Sequence, residues 1–490
     1  MTAPVIRIHG AASEIDAAAW DRLLAAQAAP SPFMRHAYLD ALDQSGSASP
    51  RSGWTPRFFT LWRGRQLAAA CPLYIKAHSY GEYVFDWAWA NAYEQHGLVY
   101  YPKAVVAVPF TPVPGTRLLA RDADSRALLV QALVAWCKQE ELSSLHMLFA
   151  ADEDIAACAD AGLMLRHTVQ FHWNNMAPTL GTDVSSLPPE GAHSALGRPG
   201  GEMAPTLGTD ASSLPPEGAH SALGRPGGEM APTLGTDVSS LPPEGAHSAL
   251  GRPGGEMAPT LGTDVSSLPP EGAHSALGRP GGGTGWRDFD AFLASLSHDK
   301  RKKIRQERRK VNDAGVSFRW SRGADIDDAD WDFFYRCYAR TYREHGNPPY
   351  LNRDFFHRMA AELPEAWLLF VAERKGQPIA SSLIALSDDA SVAYGRYWGA
   401  LERVDCLHFE ACYYQPLAWC IEHGVQRFEG GAQGEHKMAR ALMPVKTTSA
   451  HWLAHPAFAD AVERFLEREG EGIENYIDHL GERSPFRRAE

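Results

Sequence analysis

Residues 394–424 read YGRYWGALERVDCLHFEACYYQPLAWCIEHG. Their first five residues end a strand predicted over Ser391–Trp398, and the apolar residues that follow have the spacing of a helix near 408–423. Further strands are predicted at Pro378–Ser387 and at Arg427–Gly430. Neighbouring strands followed by a helix and another strand indicate a mixed α/β fold.

The first part of the chain repeats this order. Two strands, a helix and a further strand are predicted at Phe58–Trp62, Leu67–Lys76, Asp122–Glu141 and Leu145–Phe149. We therefore expect two related α/β domains with mixed sheets, over residues 1–175 and 284–490.

Residues 176–283 separate the two domains and consist of four tandem copies of a 27-residue unit, MAPTLGTDVSSLPPEGAHSALGRPGGE. All 50 aromatic residues of the chain lie outside this array, which holds 16 of the 34 prolines and 21 of the 43 glycines. Such a unit has too little apolar surface to offset the entropy lost on ordering it. We expect a disordered insert, which carries −7 of the net charge of −12.

Composition excludes several classes of protein. No run of 18 apolar residues is present, so we expect no transmembrane segment. The N-terminus lacks the charged-then-apolar pattern of a signal peptide, and seven cysteines without a CxxC pair favour a reduced interior. A cytoplasmic protein is the resulting expectation.

Four long segments resemble the FemAB-like proteins, a branch of the GNAT superfamily of N-acyltransferases described as predicted peptidoglycan-biosynthesis proteins. The segments are PLYIKAHSYGEYVFDWAWANAY (72–93), YYPKAVVAVPFTPVPGTRLL (100–119), residues 394–424 quoted above, and FEGGAQGEHKMARALMPVKTTSAHW (428–452). The resemblance covers both domains and leaves out the repeat array.

The resemblance implies two tandem GNAT-like domains and transfer of an acyl or aminoacyl group to an amine. The donor would be acyl-CoA or an aminoacyl-tRNA, with no tightly bound cofactor, and the acceptor a small molecule or a peptidoglycan precursor. One feature departs from acetyltransferases, whose Arg/Gln-x-x-Gly-x-Gly/Ala loop binds the CoA pyrophosphate, because Arg396-Tyr-Trp-Gly399 lacks the second glycine. The alternative is a non-catalytic protein that binds a peptidoglycan-type or nucleotide-linked ligand.

The densest chemical segment is Gly430-Gly-Ala-Gln-Gly-Glu-His-Lys437, which runs on to Arg440. Amine acylation needs a base for the ammonium proton and donors for the carbonyl oxyanion. Glu435 or His436 could be the base, Gln433 could donate to the oxyanion, and Lys437 and Arg440 could bind charge. A glycine turn followed by a capped helix is the structural alternative.

The predicted helix near 408–423 carries an acidic residue, Glu410, among aromatic neighbours. Such a carboxylate needs a partner if it is buried, and we expect Arg396 to be that partner. Arg396 and Trp398, at the end of the preceding strand, complete the expected substrate-binding residues of this region. The cysteines and histidines of the helix have poor spacing for zinc, so no metal site is expected.

Lys300–Lys310 holds eight basic residues in eleven positions. A helix of this composition suits a phosphate-rich partner such as CoA, a nucleotide-linked precursor or tRNA, and Arg305 is the first residue to test. Ile304 and Val311 mark its inner side. A solvated charged helix is the alternative.

The segment around His78 and Glu82 is rich in polar and aromatic residues. We expect these two side chains to line the acceptor pocket. Packing of a structural loop explains the same composition equally well.

The repeat array generates a prediction about stability. Deleting residues 176–283 and joining Asn175 to Thr284 should leave the melting temperature and the activity nearly unchanged, because loop closure costs only about 0.6 kcal/mol per doubling of loop length. Thermal denaturation of the full chain and of the deletion variant measures this. A large drop in melting temperature would show that the repeats pack against the domains.

Overall fold

The strands and helices of the chain follow from a computed structural model that describes residues 3–176, 285–432 and 434–487. Strands in these ranges are β1 Pro4–His9, β2 Trp54–Arg63, β3 Gln66–Lys76, β4 Lys103–Val106, β5 Leu119–Ala120, β6 Ser144–Met147, β7 Met164–Asn174, β8 Val316–Arg322, β9 Trp367–Arg374, β10 Gln377–Leu386, β11 Val392–Ala400, β12 Arg427–Ala432 and β13 Met443–Leu453.

The helices pack on both faces of the sheet that these strands form. They are α1 Ala17–Ala25, α2 His36–Gln44, α3 Trp87–Gln95, α4 Ala123–Gln139, α5 Asp152–Asp160, α6 Phe289–Ser295, α7 His298–Asp313, α8 Asp328–Glu344, α9 Arg353–Glu362, α10 Leu407–Phe409, α11 Gln415–Glu422 and α12 Pro456–Glu482. A π-helical stretch, Glu410–Tyr414, joins α10 to α11.

The sheet is made of two halves with the same strand pattern. In the left half, β1 to β4 are antiparallel and β4 then pairs with β6 in parallel. In the right half, β8 to β11 are antiparallel and β11 pairs with β12 in parallel. The predicted mixed α/β fold with two repeated units is confirmed.

The halves are joined by an exchange of strands. The sheet order is β1-β2-β3-β4-β6-β13-β7-β12-β11-β10-β9-β8, so β13 lies beside the left half and β7 beside the right half. The two exchanged strands pair antiparallel from Met443 opposite His172 to His451 opposite Met164. At the centre of this pairing the Thr168 and Thr447 hydroxyls are 2.8 Å apart. Each half therefore completes its sheet with a strand of the other.

Strand β7 was not predicted from the sequence, and the strand predicted near Ser449–Leu453 is only the end of β13. Both strands carry buried polar side chains where a buried strand usually shows an apolar run. Gln170 and His172 on β7 are buried, for example. A strand is recognised in a sequence by its apolar alternation, and these buried polar side chains interrupt that alternation.

The described residues on either side of the insert lie close together beside β7. The backbone N–H of Trp286 donates to Asn175 Oδ1 at 3.2 Å, so the chain leaves and re-enters the fold at neighbouring points. Trp286 also stacks on Trp173, with ring centroids 5.5 Å apart. Except for Met176, the predicted repeat insert at 176–283 lies outside the described residues.

Candidate active site

The parallel pair β11–β12 separates after three residues. Val392, Ala393 and Tyr394 pair with Arg427, Phe428 and Glu429, and no further pairs form between the two strands. Beyond this point β11 still pairs with β10 as far as Ala400, and β12 still pairs with β7 at Ala432. We call the gap between residues 395–400 and 430–432 the β11–β12 opening.

Aromatic and imidazole rings form one wall of this opening. The Trp398 ring lies 5.4 Å from His408, and His408 lies 5.8 Å from Tyr413. The His436 ring lies 5.9 Å from Phe409 and 6.2 Å from Tyr413. All but Tyr413 are half-buried, so the wall reaches solvent. Trp398 and His436 were predicted as site residues from the sequence, but not as parts of one wall. His408 was not predicted as a site residue.

A π-helical stretch positions part of this wall of rings. Residues Glu410–Tyr414 interrupt the regular helix between α10 and α11, and π-helical turns are found frequently at functional sites. The extra residue in the turn changes the direction of the side chains that follow it. This irregularity positions Tyr413 toward His436 and Tyr414 toward α7.

Arg440 lies behind the wall and is buried. Its Nη2 donates to Glu307 Oε2 at 2.8 Å and its Nη1 donates to the His436 carbonyl at 2.7 Å. The guanidinium lies 3.6 Å from the centre of the Phe409 ring, and Tyr414 donates to the same Glu307 carboxylate. The expected substrate-binding role of Arg440 is not supported by this geometry, because its guanidinium is held inside the protein.

Glu410 is buried, and the partner predicted for it is wrong. Arg308 donates from Nε to both carboxylate oxygens of Glu410, at 3.1 and 3.3 Å, and Gln415 Nε2 donates to it at 2.7 Å. Arg396 instead lies on the other face, where it donates to the Phe110 carbonyl at 3.0 Å. The basic helix α7 provides the partner because Glu410 faces it across the π-helical turn.

Lys437 was expected to bind substrate charge, and the structure places it elsewhere. Its ammonium donates to the carbonyl oxygens of Gly430, Gly431 and Ala432 at 2.7, 3.3 and 2.7 Å. Burial lowers the pKa of Lys437 to about 7, while the three carbonyl acceptors favour the charged ammonium. Lys437 therefore holds the end of β12 in place, where the strand has left its partner.

Two other predicted residues lie at the surface. Glu435 is exposed and accepts hydrogen bonds from Arg483 at 2.9 Å and Tyr476 at 3.3 Å, so it lies against α12 and outside the wall. The helix expected near Glu435 is a short 3-10 turn, Glu435–Arg440. Arg305 is exposed on α7, whose Ile304 and Val311 are buried as predicted. Gln433 lies outside the described residues.

His78 and Glu82 belong to the left half of the sheet, in the segment between β3 and α3. Lys103 donates to Glu82 and to Ser79, both at 2.8 Å, and also to Asp86. Burial raises the pKa of Glu82 to about 7, although Lys103 acts in the opposite direction. His78 packs against Gly53 and Tyr80. Glu82 thus holds the segment before α3 onto β4 through Lys103, and the expected place of His78 and Glu82 in an acceptor pocket stays a prediction.

Glu429 is a residue that sequence reasoning missed. It is buried at the last position of β12 that pairs with β11. Its Oε1 lies 3.0 Å from Arg427, and its Oε2 lies 4.0 Å from His172 Nε2. Within the described chain, Oε2 accepts no hydrogen bond. Burial raises the pKa of Glu429 to about 7 and lowers that of His172 to about 3, so the carboxyl group titrates near neutral pH beside a neutral imidazole. The signal in the sequence was an acid followed by two glycines at the end of a buried strand.

Comparison with known proteins gives the family. The chain matches the FemAB-like family, described as peptidoglycan biosynthesis/recognition, over residues 11–179 and 282–488, and it belongs to that family. No curated protein matches the chain.

Solved structures with a similar fold share little sequence with this chain. The crystal structure of FemX is 8% identical with a TM-score of 0.44, over 92% of this chain and 98% of that one. The structure of L-PGS from Bacillus licheniformis is 9% identical with a TM-score of 0.42, over 92% and 97%. A tandem GNAT protein from the clavulanic acid biosynthesis pathway is 11% identical with a TM-score of 0.39, over 93% and 99%.

Two searches of the described residues bear on membrane and metal binding. None of the helices in ranges 3–176, 285–432 and 434–487 has the length and apolar character needed to cross a bilayer. In the same ranges, no three side chains among the His, Cys, Asp and Glu residues converge as metal ligands.

The raised pKa of Glu429 predicts a pH dependence of stability. The folded state binds the proton of Glu429 more tightly than the unfolded state does. The resulting stabilisation of the folded state is therefore fully present below about pH 4.5 and is lost as the pH rises toward 7. Glu429→Gln removes this loss, which amounts to about 3 kcal/mol for a shift from 4.5 to about 7. The melting temperature of the variant relative to the natural protein should therefore rise between pH 5 and pH 8.

The matched control is Glu471→Gln, at an exposed position of α12. Its melting temperature should follow that of the natural protein at every pH. If the melting temperatures of Glu429→Gln and the natural protein differed by the same amount at every pH from 5 to 8, the raised pKa of Glu429 would be contradicted.

Proposed function

We propose that this protein transfers an acyl or aminoacyl group to an amine at the β11–β12 opening. The observation that carries the proposal is the buried Glu429 carboxyl, which titrates near pH 7 at the point where the strands separate. General bases work best when their pKa lies near the operating pH. Membership of a family described as peptidoglycan biosynthesis/recognition supports a peptidoglycan precursor as acceptor.

In the proposed reaction, the Glu429 carboxylate takes a proton from the ammonium group of the acceptor. The free amine then attacks the acyl carbonyl carbon, a C–N bond forms, and the bond to the donor's sulfur or oxygen breaks. The nitrogen loses a second proton as the amide forms. One of the two protons goes to the leaving group and the other is released to solvent from Glu429, so the products are the amide, the free thiol or hydroxyl, and one proton. The half-buried rings of Trp398, His408 and His436 would position the donor in the gap.

The donor is proposed to enter beside α7. Exposed Lys302, Lys303, Arg305 and Arg309 lie on the same helix whose Glu307 and Arg308 contact the layer behind the ring wall. Acyl-CoA and aminoacyl-tRNA both carry phosphates that such a surface attracts. The donor is thus proposed to be one of these two classes.

Replacing Glu429 tests the base. Glu429→Gln should lower kcat by about 10²- to 10⁴-fold, because the amide cannot accept the proton. The variant should stay folded, since glutamine has the same shape. Turnover is measured with a panel of acyl-CoAs and aminoacyl-tRNAs against amine acceptors, with Glu471→Gln as the control.

Undiminished turnover in Glu429→Gln would overturn the assignment of the base. If His436→Ala alone abolished turnover, His436 would take its place, as the sequence analysis allowed. Saturable binding of a peptidoglycan fragment with no turnover of any donor would identify a non-catalytic recognition protein.

Reversing the charge of Arg305 tests the donor surface. Arg305→Glu should raise KM for the phosphate-bearing donor severalfold and weaken its dependence on salt, with kcat little changed. Arg464→Glu, at an exposed position of α12, is the matched control. Equal KM values for the two variants would show that α7 is only a solvated helix.

A further inference from the structure

Arg396 is a buried arginine that has no carboxylate partner among the residues that the structure describes. The residue is 8% exposed and lies on β11 at a β-bulge, opposite the shift between Leu383 and Ile384. Burying a guanidinium is costly unless its charge and its N–H groups are compensated. The contacts of Arg396 show how far that compensation goes.

Nη2 makes all the hydrogen bonds of Arg396 within the described chain. It donates to the Phe110 carbonyl at 3.0 Å and to the Tyr397 hydroxyl at 3.3 Å. Nε is enclosed and donates to no described atom. The guanidinium packs 5.3 Å from the Phe33 ring and 4.9 Å from the Tyr397 ring, which stabilises the charge only in part.

The other buried arginines of the described chain are better compensated. Arg126 pairs with Glu153 and Asp154, at 2.7 and 3.0 Å, and Arg440 pairs with Glu307. Arg117 donates from Nε, Nη1 and Nη2 to three carbonyl oxygens. Arg396 differs from Arg126 and Arg440 because no carboxylate of the described chain pairs with it, and from Arg117 because it donates to a single carbonyl oxygen.

Strained backbone surrounds the same guanidinium. Tyr83 and Phe110 have φ angles of 61° and 60°, in the left-handed region that bulky residues avoid. Phe110 stacks on Tyr350 with ring centroids 4.8 Å apart and planes at 16°. A Cβ at Gly81 would lie 2.7 Å from the Phe110 ring, so the adjoining turn accepts only glycine without a shift. Such strain persists where a surrounding structure enforces it and occurs often at ligand sites.

We propose that Arg396 binds the carboxylate of the acceptor. One cation among aromatic rings balances the single charge of a carboxylate, whereas a phosphate dianion needs further cations. Arg396 stands two residues beyond Tyr394, which pairs with Glu429, so the backbone positions of Arg396 and Glu429 are offset by about 7 Å along the strand direction. A ligand that spans them carries an amine and a carboxylate within the length of a dipeptide.

This inference rests on the proposed function only for the place of the amine at Glu429. Binding of the carboxylate is independent of turnover, so the two can fail separately. The probes are glycylglycine and glycylglycinamide, which share the amine and differ in the carboxylate. Their Kd values are measured by ligand-observed NMR on the full chain.

The natural protein should bind glycylglycine about tenfold more tightly than the amide. Arg396→Gln should bring the two Kd values together, and Arg396→Lys, which keeps the charge but not the planar fork, should give an intermediate ratio. Arg403→Gln, at an exposed position after β11, should keep the full ratio. Thermal denaturation checks that each variant is folded. If Arg396→Gln does not fold, the ratio of Kd values in Arg396→Lys provides the test.

Equal Kd values for the two peptides in the natural protein would overturn the proposal, as would the absence of binding by either one. An unchanged ratio in the folded Arg396 variants would overturn it as well. If the ratio responds as expected while no donor supports turnover, the carboxylate site stands and the proposed transfer reaction fails.

Discussion

The antiparallel pairing of β7 with β13 is the constraint on which the remainder of the structure depends. Because each half gives a central strand to the other, neither half can form its full sheet alone. The candidate base depends on this exchange directly, since Glu429 on β12 pairs with His172 on β7. The exchange also brings loops of the left half over β11, where the Phe110 carbonyl meets Arg396.

Burial of charge separates structural from functional residues in this protein. Lys103, Lys437 and Arg440 are enclosed, and each has carboxylates, carbonyl oxygens or both as acceptors. Their removal would leave buried partners unsatisfied, so their role is to hold loops and strand ends. Glu429 and Arg396 are enclosed as well, but within the described chain Glu429 Oε2 accepts no hydrogen bond, and Arg396 has one carbonyl acceptor and no carboxylate partner. Incomplete compensation of this kind is a property of a site that awaits a ligand.

Much of the fold was predictable, and the failures have physical causes. Many regular strands and helices were predicted from periodicity, and β3 and α4 lie within two residues of their expected bounds. Strand β7 was missed because its buried face carries Gln170 and His172. At the site, the opening uses Trp398 and His436 from the prediction, whereas Glu429 was overlooked because an acid at a strand end resembles a surface residue.

The sequence by itself determined the mixed α/β class, the two repeated halves, the family resemblance and the inner side of the basic helix, because periodicity and motif are local properties of the chain. Only the tertiary structure decided which charged residues are compensated. Arg308 is distant from Glu410 in sequence, and so is Phe110 from Arg396. Burial and partners of a charge arise from contacts between distant segments, and spacing along the chain does not encode them.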